Sequence, residues 1–359
     1  MPLRELRRQA GRFVIAGFTG QSAPDDLRRI IAEFDLAGVI YFARNIVEPA
    51  QVRELSLEVS ALSREWPLWI SVDQEGGRVA RLRAPFTEWP PAMTLGRSGD
   101  EALAERFARA LAAELVAVGI NLDYAPVLDV HTNAANPVIG DRALASDPEH
   151  AARLGAAVVR GLQACGVAAC GKHFPGHGDT SVDSHHELPI VQHERRRLEA
   201  IEFVPFRRAI AEGVATLMTA HVKVPALDEE HVASFSPAVV TDLLKGVLGF
   251  PGVVISDDLG MMAVAADTSL PDASVAAIQA GCDTVLLCNS TTGEQWQAIE
   301  AIIHALERGH ISRARLDDAW ARQRMVKERM AAVVPVAVGL DAVGQLEHLA
   351  IAREMAEWR

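Results

Sequence analysis

The chain has 359 residues, of which 49% are hydrophobic, and its formal net charge is −12. The apolar content is too high for a disordered chain, and the acidic balance argues against nucleic acid as a partner, because phosphate binding needs a basic surface. No apolar stretch approaches the roughly 18 residues of a membrane span, and the run Phe13–Phe18 is too short for a signal-peptide core, so no membrane association is expected.

Eight short apolar runs, separated by helical patterns, predict β-strands along the chain. Most of these runs are continuous in apolar residues, as expected for strands that are buried on both faces. The predicted strands are Phe13–Gly17, Gly38–Ala43, Leu68–Val72, Ile120–Tyr124, Ala168–His173, Thr216–His221, Val253–Ser256 and Thr284–Cys288. Strands that alternate with helices in this way predict an α/β fold, a closed (β/α)8 TIM-type barrel. An open doubly wound sheet would instead require a G-x-G-x-x-G turn after the first strand, which residues 17–20 do not supply.

Amphipathic helices are predicted between the strands, with recognisable signals at their ends. Ser98 and Glu101 predict a capping box for one helix, and Ser236 with the following proline predicts the start of another, which Gly249 ends. From Asn289 onward the pattern is helical and no new series of strands begins. We therefore expect a single domain over residues 1–359, with a C-terminal helical extension at about 311–359.

Polar residues collect where the predicted strands end, which is where a parallel barrel places its catalytic groups. Asp257 and Asp258 end the seventh strand. A lone aspartate at such a position most often caps the next helix. Two adjacent acids in an extended strand point to opposite faces, so one can face the mouth of the barrel and the other the helix layer. The pair alone does not specify a function.

The segment after the fifth strand is richer in polar residues. Lys172 and His173 directly follow a buried strand, so both need partners, and a structural salt bridge with a satisfied core histidine would be sufficient. Asp183 and His185 are two residues apart and project to the same side of an extended segment. The carboxylate could then fix the tautomer of His185 and raise its pKa, as in a catalytic dyad. An isolated D-x-H, however, is usually a solvated loop.

The same segment raises the question of a metal ion. His173 and His177 are four residues apart, a spacing that suits zinc on a helix, but Pro175 and Gly176 lie between them and disfavour a helix. We therefore predict no metal and no cofactor.

The basic residues at the predicted mouth could bind either phosphate or a sugar. A phosphate site after the last two strands would need glycine-rich backbone, which residues 289–293 do not provide. Carboxylates mixed with basic groups suit sugar hydroxyls better, because each hydroxyl both donates and accepts. The basic residues concerned are Arg78, Arg81, Arg142 and Lys172.

Five segments together resemble glycoside hydrolase family 3, in its single-domain β-N-acetylglucosaminidase branch. They are D-Q-E-G-G-R-V from Asp73, G-D-R from Gly140, K-H-F-P-G-H-G from Lys172, D-S-H from Asp183 and S-D-D-L-G-M from Ser256. They occur in the family's order, and the resemblance covers the chain from Val14 to about Met325. K-H-F-P-G-H-G followed closely by D-S-H is highly specific.

The resemblance implies a retaining mechanism and a role for each matched position. Asp257 would be the nucleophile, and His185, which the D-S-H spacing favours over the adjacent His186, would be the general acid and base, oriented by Asp183. The residues that would bind N-acetylglucosamine are Asp73, Arg81, Arg142, Lys172 and His173. Supporting roles are expected for Arg78, His177, His221 and Asp129.

The resemblance also implies a small carbohydrate substrate, either a muropeptide that contains N-acetylglucosamine or a chitooligosaccharide. In the family such enzymes act in peptidoglycan recycling in the cytoplasm. A reducing compartment also fits the four cysteines, none of which forms a C-x-x-C pair and which are expected to be buried free thiols.

Three alternatives to a hydrolase of this kind remain at the level of the sequence. An imidazole acid/base repels phosphate less than a carboxylate does, so an N-acetylglucosaminide phosphorylase is compatible with the pattern. A non-catalytic sugar-binding barrel belongs to another class of function, and the third alternative is a metal-dependent hydrolase.

Overall fold

The computed structural model of the chain describes residues 3–63, 66–181, 188–261, 264, 268–333 and 338–359. Its strands, in chain order, are β1 (Val14–Gly17), β2 (Gly38–Tyr41), β3 (Trp69–Val72), β4 (Gln74–Gly76), β5 (Val79–Ala80), β6 (Leu122–Asp123), β7 (Ala168–Phe174), β8 (Thr216–Thr219), β9 (Val253–Asp258) and β10 (Thr284–Leu287). Eight of them close a parallel barrel in the spatial order β1-β10-β9-β8-β7-β6-β3-β2, while β4 and β5 pair as an antiparallel hairpin above β3. The predicted (β/α)8 barrel is confirmed.

Helices of the described part of the chain surround this barrel. They are α1 (Leu3–Gly11), α2 (Asp25–Phe34), α3 (Pro49–Ser60), α4 (Met93–Ser98), α5 (Glu101–Ala117), α6 (Pro148–Ala164), α7 (Arg195–Ala200), α8 (Phe203–Ala211), α9 (Ala238–Val247, with π-type hydrogen bonds), α10 (Leu270–Ala280), α11 (Thr292–Glu307), α12 (Arg313–Ala332) and α13 (Leu346–Ala356). No helix in the described ranges is long and apolar enough to cross a membrane. The single-domain organisation stays a prediction.

Several predicted boundaries differ from the structure for local reasons. The second strand ends at Tyr41, because a short 3₁₀ turn follows in which the Asn45 side chain accepts a hydrogen bond from the Phe42 backbone N–H at 2.9 Å. The predicted capping box of Ser98 and Glu101 is wrong: α5 is capped by Asp100, whose carboxylate accepts from the N–H groups of Ala102 and Leu103. Asp100 lies two residues closer to the helix than Ser98 and carries a charge that favours the helix N-terminus.

Alternation along the strands separates two apolar layers. Ile15, Ile40, Trp69, Ile255 and Leu286 pack together inside the barrel. Their neighbours in sequence, such as Val14 and Val39, belong to the larger core between the strands and the helices. Residues two positions apart in a strand share a face. Two positions beyond these inner residues, towards the C-terminal mouth, are Gly17, Phe42, Ser71, Asp257 and Cys288.

The opposite end of the barrel is closed by α12. The side-chain amide of Gln323 donates to the backbone carbonyls of Arg12 and Asp283, at 2.9 and 2.8 Å, just before β1 and β10. The ammonium of Lys327 donates to the carbonyls of Ala37 and Pro67, at 3.1 and 2.8 Å, before β2 and β3. One helix therefore bonds to the backbone that leads into four barrel strands.

The four cysteines are free thiols, as predicted. Cys170, Cys282 and Cys288 are also buried as expected, whereas Cys165 is partly exposed.

Candidate active site

A cavity of about 400 Å³ lies at the C-terminal mouth of the barrel. Its walls come from the ends of β2, β3 and β7 to β10, from the β4–β5 hairpin, and from the loop after β6. The predicted site residues that line it are Asp73, Arg78, Arg81, Arg142, Lys172, His173, His177 and Asp257. Residues separated by up to 184 positions in the sequence therefore meet at one cavity, as the barrel topology requires.

Two predicted sugar-binding cations share the carboxylate of Asp73. The Lys172 ammonium lies 2.8 Å from Oδ1 of Asp73, and a guanidinium nitrogen of Arg81 lies 3.3 Å from Oδ2. Lys172 is 2% exposed, so an isolated ammonium at this position would be very unfavourable. Burial would lower the pKa of Lys172, but the charges of Asp73 and Glu75 raise it above its usual value. The lysine is therefore a permanent cation at neutral pH.

Glu75 links Lys172 to the third cation, Arg142. One carboxylate oxygen of Glu75 is 2.6 Å from the Lys172 ammonium, and Arg142 donates two hydrogen bonds of 2.8 Å to the same carboxylate. Burial would raise the pKa of Glu75, yet the charges of Arg142 and Lys172 hold it well below its usual range. We refer to Arg81, Asp73, Lys172, Glu75 and Arg142, which alternate in charge, as the charge ladder.

Glu75 was not singled out by the sequence reasoning, although it lies inside the D-Q-E-G-G-R motif. The available signal was its spacing: Asp73 and Glu75 are two residues apart at the end of a buried strand, next to predicted basic partners. Tyr124, Met218 and Leu286 also line the cavity and were missed, because apolar residues near a strand end cannot be distinguished from core residues without a structure.

Asp129 fixes the segment that carries the two predicted histidines. Its carboxylate accepts from the backbone N–H groups of His173 and His177 and contacts Nδ1 of His173 at 2.7 Å. Because an ionised carboxylate can only accept a hydrogen bond, Nδ1 of His173 must carry the proton in this contact. Burial would raise the pKa of Asp129, but the nearby His173 lowers it. Nδ1 of His177 instead contacts Thr180 at 2.7 Å, so the two imidazoles have different partners.

Close packing explains the glycines of this segment. A side chain at Gly178 would place its Cβ 1.9 Å from the carbonyl oxygen of Val130, and one at Gly176, where φ is +132°, would lie 2.9 Å from Glu202. Both positions therefore admit only glycine.

Asp257 and Asp258 make different contacts, but both line the cavity, whereas one of them was predicted to face the helix layer. Oδ1 of Asp258 accepts from the backbone N–H groups of Cys288 and Gly260, at 3.0 and 3.2 Å, and burial raises its pKa. Asp257 is partly exposed in the cavity. Burial would raise its pKa, but His173 and His221 lower it, so Asp257 is ionised at neutral pH.

His221 supports the strand end that carries Asp257. Burial lowers the pKa of His221 and keeps the ring neutral. Its Nε2 lies 3.0 Å from the carbonyl oxygen of Asp258, which can only accept, so Nε2–H donates. Nδ1 then accepts from the hydroxyl of Ser234 at 2.6 Å. The histidine holds the backbone beside Asp257 and is itself fixed in one tautomer.

Asp183 and His185, the predicted acid/base dyad, lie outside the described residues. The segments on either side of them are tied together. Asp179 accepts from the hydroxyl of Thr132 at 2.7 Å and contacts His193, which follows the dyad in sequence.

Residues 6–326 match the glycosyl hydrolase family 3 N terminal domain. The chain is 41% identical over 299 residues to a beta-hexosaminidase of Alkalilimnicola ehrlichii, a match that covers 82% of this chain and 84% of the relative. The fold and the family match together define the class: the chain belongs to glycoside hydrolase family 3.

Two solved structures of the family resemble the chain over nearly its whole length. A β-N-acetylglucosaminidase of Paenibacillus sp. superposes with a TM-score of 0.94 at 44% identity, covering 98% of this chain and 68% of that one. NagZ of Neisseria gonorrhoeae, solved in complex with N-trifluoroacetyl-D-glucosamine, gives a TM-score of 0.80 at 32% identity, covering 96% and 97% of the two chains.

Because Glu75 is buried in the charge ladder, removing its carboxylate should destabilise the protein far more than removing that of the exposed Glu328. Glu75→Ala leaves Arg142 and Lys172 with one carboxylate fewer in a buried site, and we expect the free energy of unfolding to fall by about 3 to 5 kcal/mol. Glu328→Ala removes the exposed Arg324–Glu328 pair and should cost at most about 0.5 kcal/mol. Denaturant unfolding of both variants measures the difference. Equal, small losses would show that the ladder does not stabilise the mouth.

Proposed function

We propose that the protein is a retaining β-N-acetylglucosaminidase, which hydrolyses terminal β-linked N-acetylglucosamine by double displacement. The observation that carries the proposal is the ionised carboxylate of Asp257 in the same cavity as the charge ladder. A nucleophile and a fixed set of hydroxyl-binding groups are the two components that a retaining glycosidase requires in one cavity. The names of the family relatives support the same activity.

The charge ladder and His173 would bind the hydroxyls of the non-reducing sugar. Carboxylate oxygens of Asp73 accept from sugar hydroxyls, whereas Arg81, Arg142 and Lys172 donate to them. Because each cation is already held by a carboxylate, little reorganisation is needed when the sugar enters. The sugar would therefore be bound in one orientation by hydrogen bonds to fixed groups.

Catalysis would proceed in two steps. In the first, a carboxylate oxygen of Asp257 forms a bond to the anomeric carbon while the bond to the leaving oxygen breaks, and His185 gives its proton to that oxygen. In the second, His185 takes a proton from water, whose oxygen attacks the anomeric carbon and releases Asp257. Asp183 would orient the imidazole. The lowered pKa of Asp257 keeps its carboxylate ionised before it attacks the anomeric carbon.

For the natural substrate we propose a cytoplasmic muropeptide or a chitooligosaccharide with N-acetylglucosamine at its non-reducing end. The complex of NagZ of Neisseria gonorrhoeae with an N-acylated glucosamine supports an N-acyl sugar in the corresponding site.

The activity is tested with p-nitrophenyl β-N-acetylglucosaminide and the matching glucoside, each with and without inorganic phosphate. We expect release of free N-acetylglucosamine at a rate that phosphate does not change, and much slower cleavage of the glucoside. Formation of the sugar 1-phosphate would identify a phosphorylase instead. No release of p-nitrophenol would favour a non-catalytic sugar-binding barrel, and loss of activity in EDTA would indicate a metal-dependent hydrolase.

Asp257→Ala should reduce turnover of the aryl glycoside by more than roughly 10⁴-fold, because no covalent intermediate can form. Added azide should partly restore cleavage and yield the α-glycosyl azide, since it attacks from the face that the carboxylate has vacated. Trapping the wild-type enzyme with a 5-fluoro glycosyl fluoride should label the peptide that contains Asp257. Near-normal activity of the variant, or a label elsewhere, would refute the assignment.

His185→Ala should slow poor leaving groups far more than activated ones. A p-nitrophenolate leaves without a proton, whereas a sugar alcohol needs general acid catalysis worth about 10² to 10⁴-fold. The measurement compares kcat/KM for the p-nitrophenyl glycoside and for chitobiose. His186→Ala is the matched control and should affect both substrates little. Equal slowing of both substrates in the His185 variant would exclude this residue as the acid.

A further inference from the structure

A second cavity, of about 430 Å³, adjoins the first at the mouth of the barrel. It lies over the ends of β1 and β10, beside the active-site cavity, and we call it the β1/β10 cavity. Its walls include Phe18, Thr19, Asp26, Arg44 and Ser290. Asn289 lines both cavities, so a molecule that extends from the active site past Asn289 enters the second one.

Arg44 is the cation of this cavity, and it is held in place entirely by uncharged oxygen atoms. Its Nε donates to the Phe18 carbonyl at 2.8 Å, and its two terminal nitrogens donate to Oδ1 of Asn289 at 3.0 Å and to the Cys288 carbonyl at 2.8 Å. A guanidinium carries five N–H groups, so these contacts leave two for a ligand. The side chain is exposed, and its charge is not neutralised by the three groups that hold it.

Phe42 connects Arg44 to the active site. The guanidinium carbon of Arg44 lies 4.5 Å from the centre of the Phe42 ring, and that of Arg81, a member of the charge ladder, lies 5.4 Å from it. Phe42 itself lines the active-site cavity. The aromatic ring therefore lies between the proposed sugar-binding groups and the exposed arginine. Stacking of this kind both attracts a guanidinium and orients it.

One acid lines the cavity, and a second is hydrogen-bonded to a residue of its wall. Asp26 is one of its lining residues and lies in the first turn of α2, where the helix N-terminus compensates part of its charge. Glu294 accepts hydrogen bonds from the N–H and the hydroxyl of Thr291 and belongs to the cap of α11. Neither is among the groups that hydrogen-bond Arg44, so the guanidinium keeps its free N–H groups.

We propose that the β1/β10 cavity is a subsite for the leaving group, and that Arg44 selects leaving groups that carry a carboxylate. The proposal rests on the proposed glycosidase function. A planar guanidinium with two free N–H groups matches a carboxylate, and a neutral sugar has no group that requires its charge. The protein thus prefers an anionic aglycone, while the charge ladder binds the neutral N-acetylglucosamine.

The test uses two disaccharides that differ only in charge. One is N-acetylglucosamine β-1,4-linked to N-acetylmuramic acid, and the other is the same compound with its lactyl carboxyl converted to the amide. In the wild type, kcat/KM for the acid should exceed that for the amide, and the ratio should fall as salt is added. Arg44→Met should lower the ratio about fivefold to tenfold by slowing the acid alone.

Two further variants separate charge from packing. Arg44→Lys keeps the charge but loses the planar fork, so it should retain part of the preference. Asp26→Asn removes the opposing charge and should raise the ratio. Arg324→Met, on α12 at the other end of the barrel, is the control and should leave the ratio unchanged.

The possible outcomes distinguish the two proposals. If Arg44→Met slows both disaccharides equally, or neither of them, the subsite is refuted while the glycosidase function stands. A ratio that does not respond to Asp26→Asn or to salt would also refute a charge-based preference. If the wild type cleaves neither disaccharide nor the p-nitrophenyl glycoside, the proposed function itself fails.

Discussion

The burial of a lysine ammonium at the mouth of the barrel is the constraint on which the site depends. Lys172 lies near the end of β7 and is buried from solvent, so its charge must be compensated by protein groups. Asp73 and Glu75 supply this compensation from the end of β3 and the hairpin above it. Glu75 then requires Arg142, and Asp73 holds Arg81. One buried charge thus determines the positions of four further side chains, three from the segment that follows β3 and one from the loop after β6.

The proposed nucleophile, Asp257, is not a member of this ladder. It is on β9, across the mouth, and among the described residues it forms no ion pair with a lysine or an arginine; its pKa is lowered chiefly by His173 and His221. A carboxylate in a tight ion pair is a poor nucleophile, because its lone pairs are already engaged. His221 and the backbone N–H of Asp258 orient the strand end without neutralising the carboxylate. The barrel therefore places the paired charges on one side of the mouth and this separate carboxylate on the other.

Much of the fold could be predicted from the sequence, because strands buried on both faces have a clear apolar signature. The start of β6 was less predictable, since the side chain of Asn121 bonds to the backbone around β3 and replaces part of the regular pairing. The N-cap of α5 was misassigned because Ser98 and Asp100 are both good capping residues and only the backbone decides between them.

The site was predictable to the extent that strand ends concentrate polar residues and that specific motifs recur in one family. Single-sequence reasoning identified Lys172 and Asp257 but could not pair them with partners that lie distant in the chain. Glu75 was therefore overlooked although it links Lys172 to Arg142 in the ladder. Arg44 carries no motif signal at all, because its significance comes from carbonyl groups that only the folded barrel brings together.

The attachment of α12 beneath the barrel has a consequence for synthesis on the ribosome. Gln323 and Lys327 bond to backbone before β1, β10, β2 and β3, so the seam between the first and last strands is secured by residues that are synthesised after all eight strands. Until they have left the exit tunnel, the nascent chain has all eight strands but lacks the helix that fixes their junction. The emerging polypeptide must therefore remain soluble in this open state until α12 has joined it.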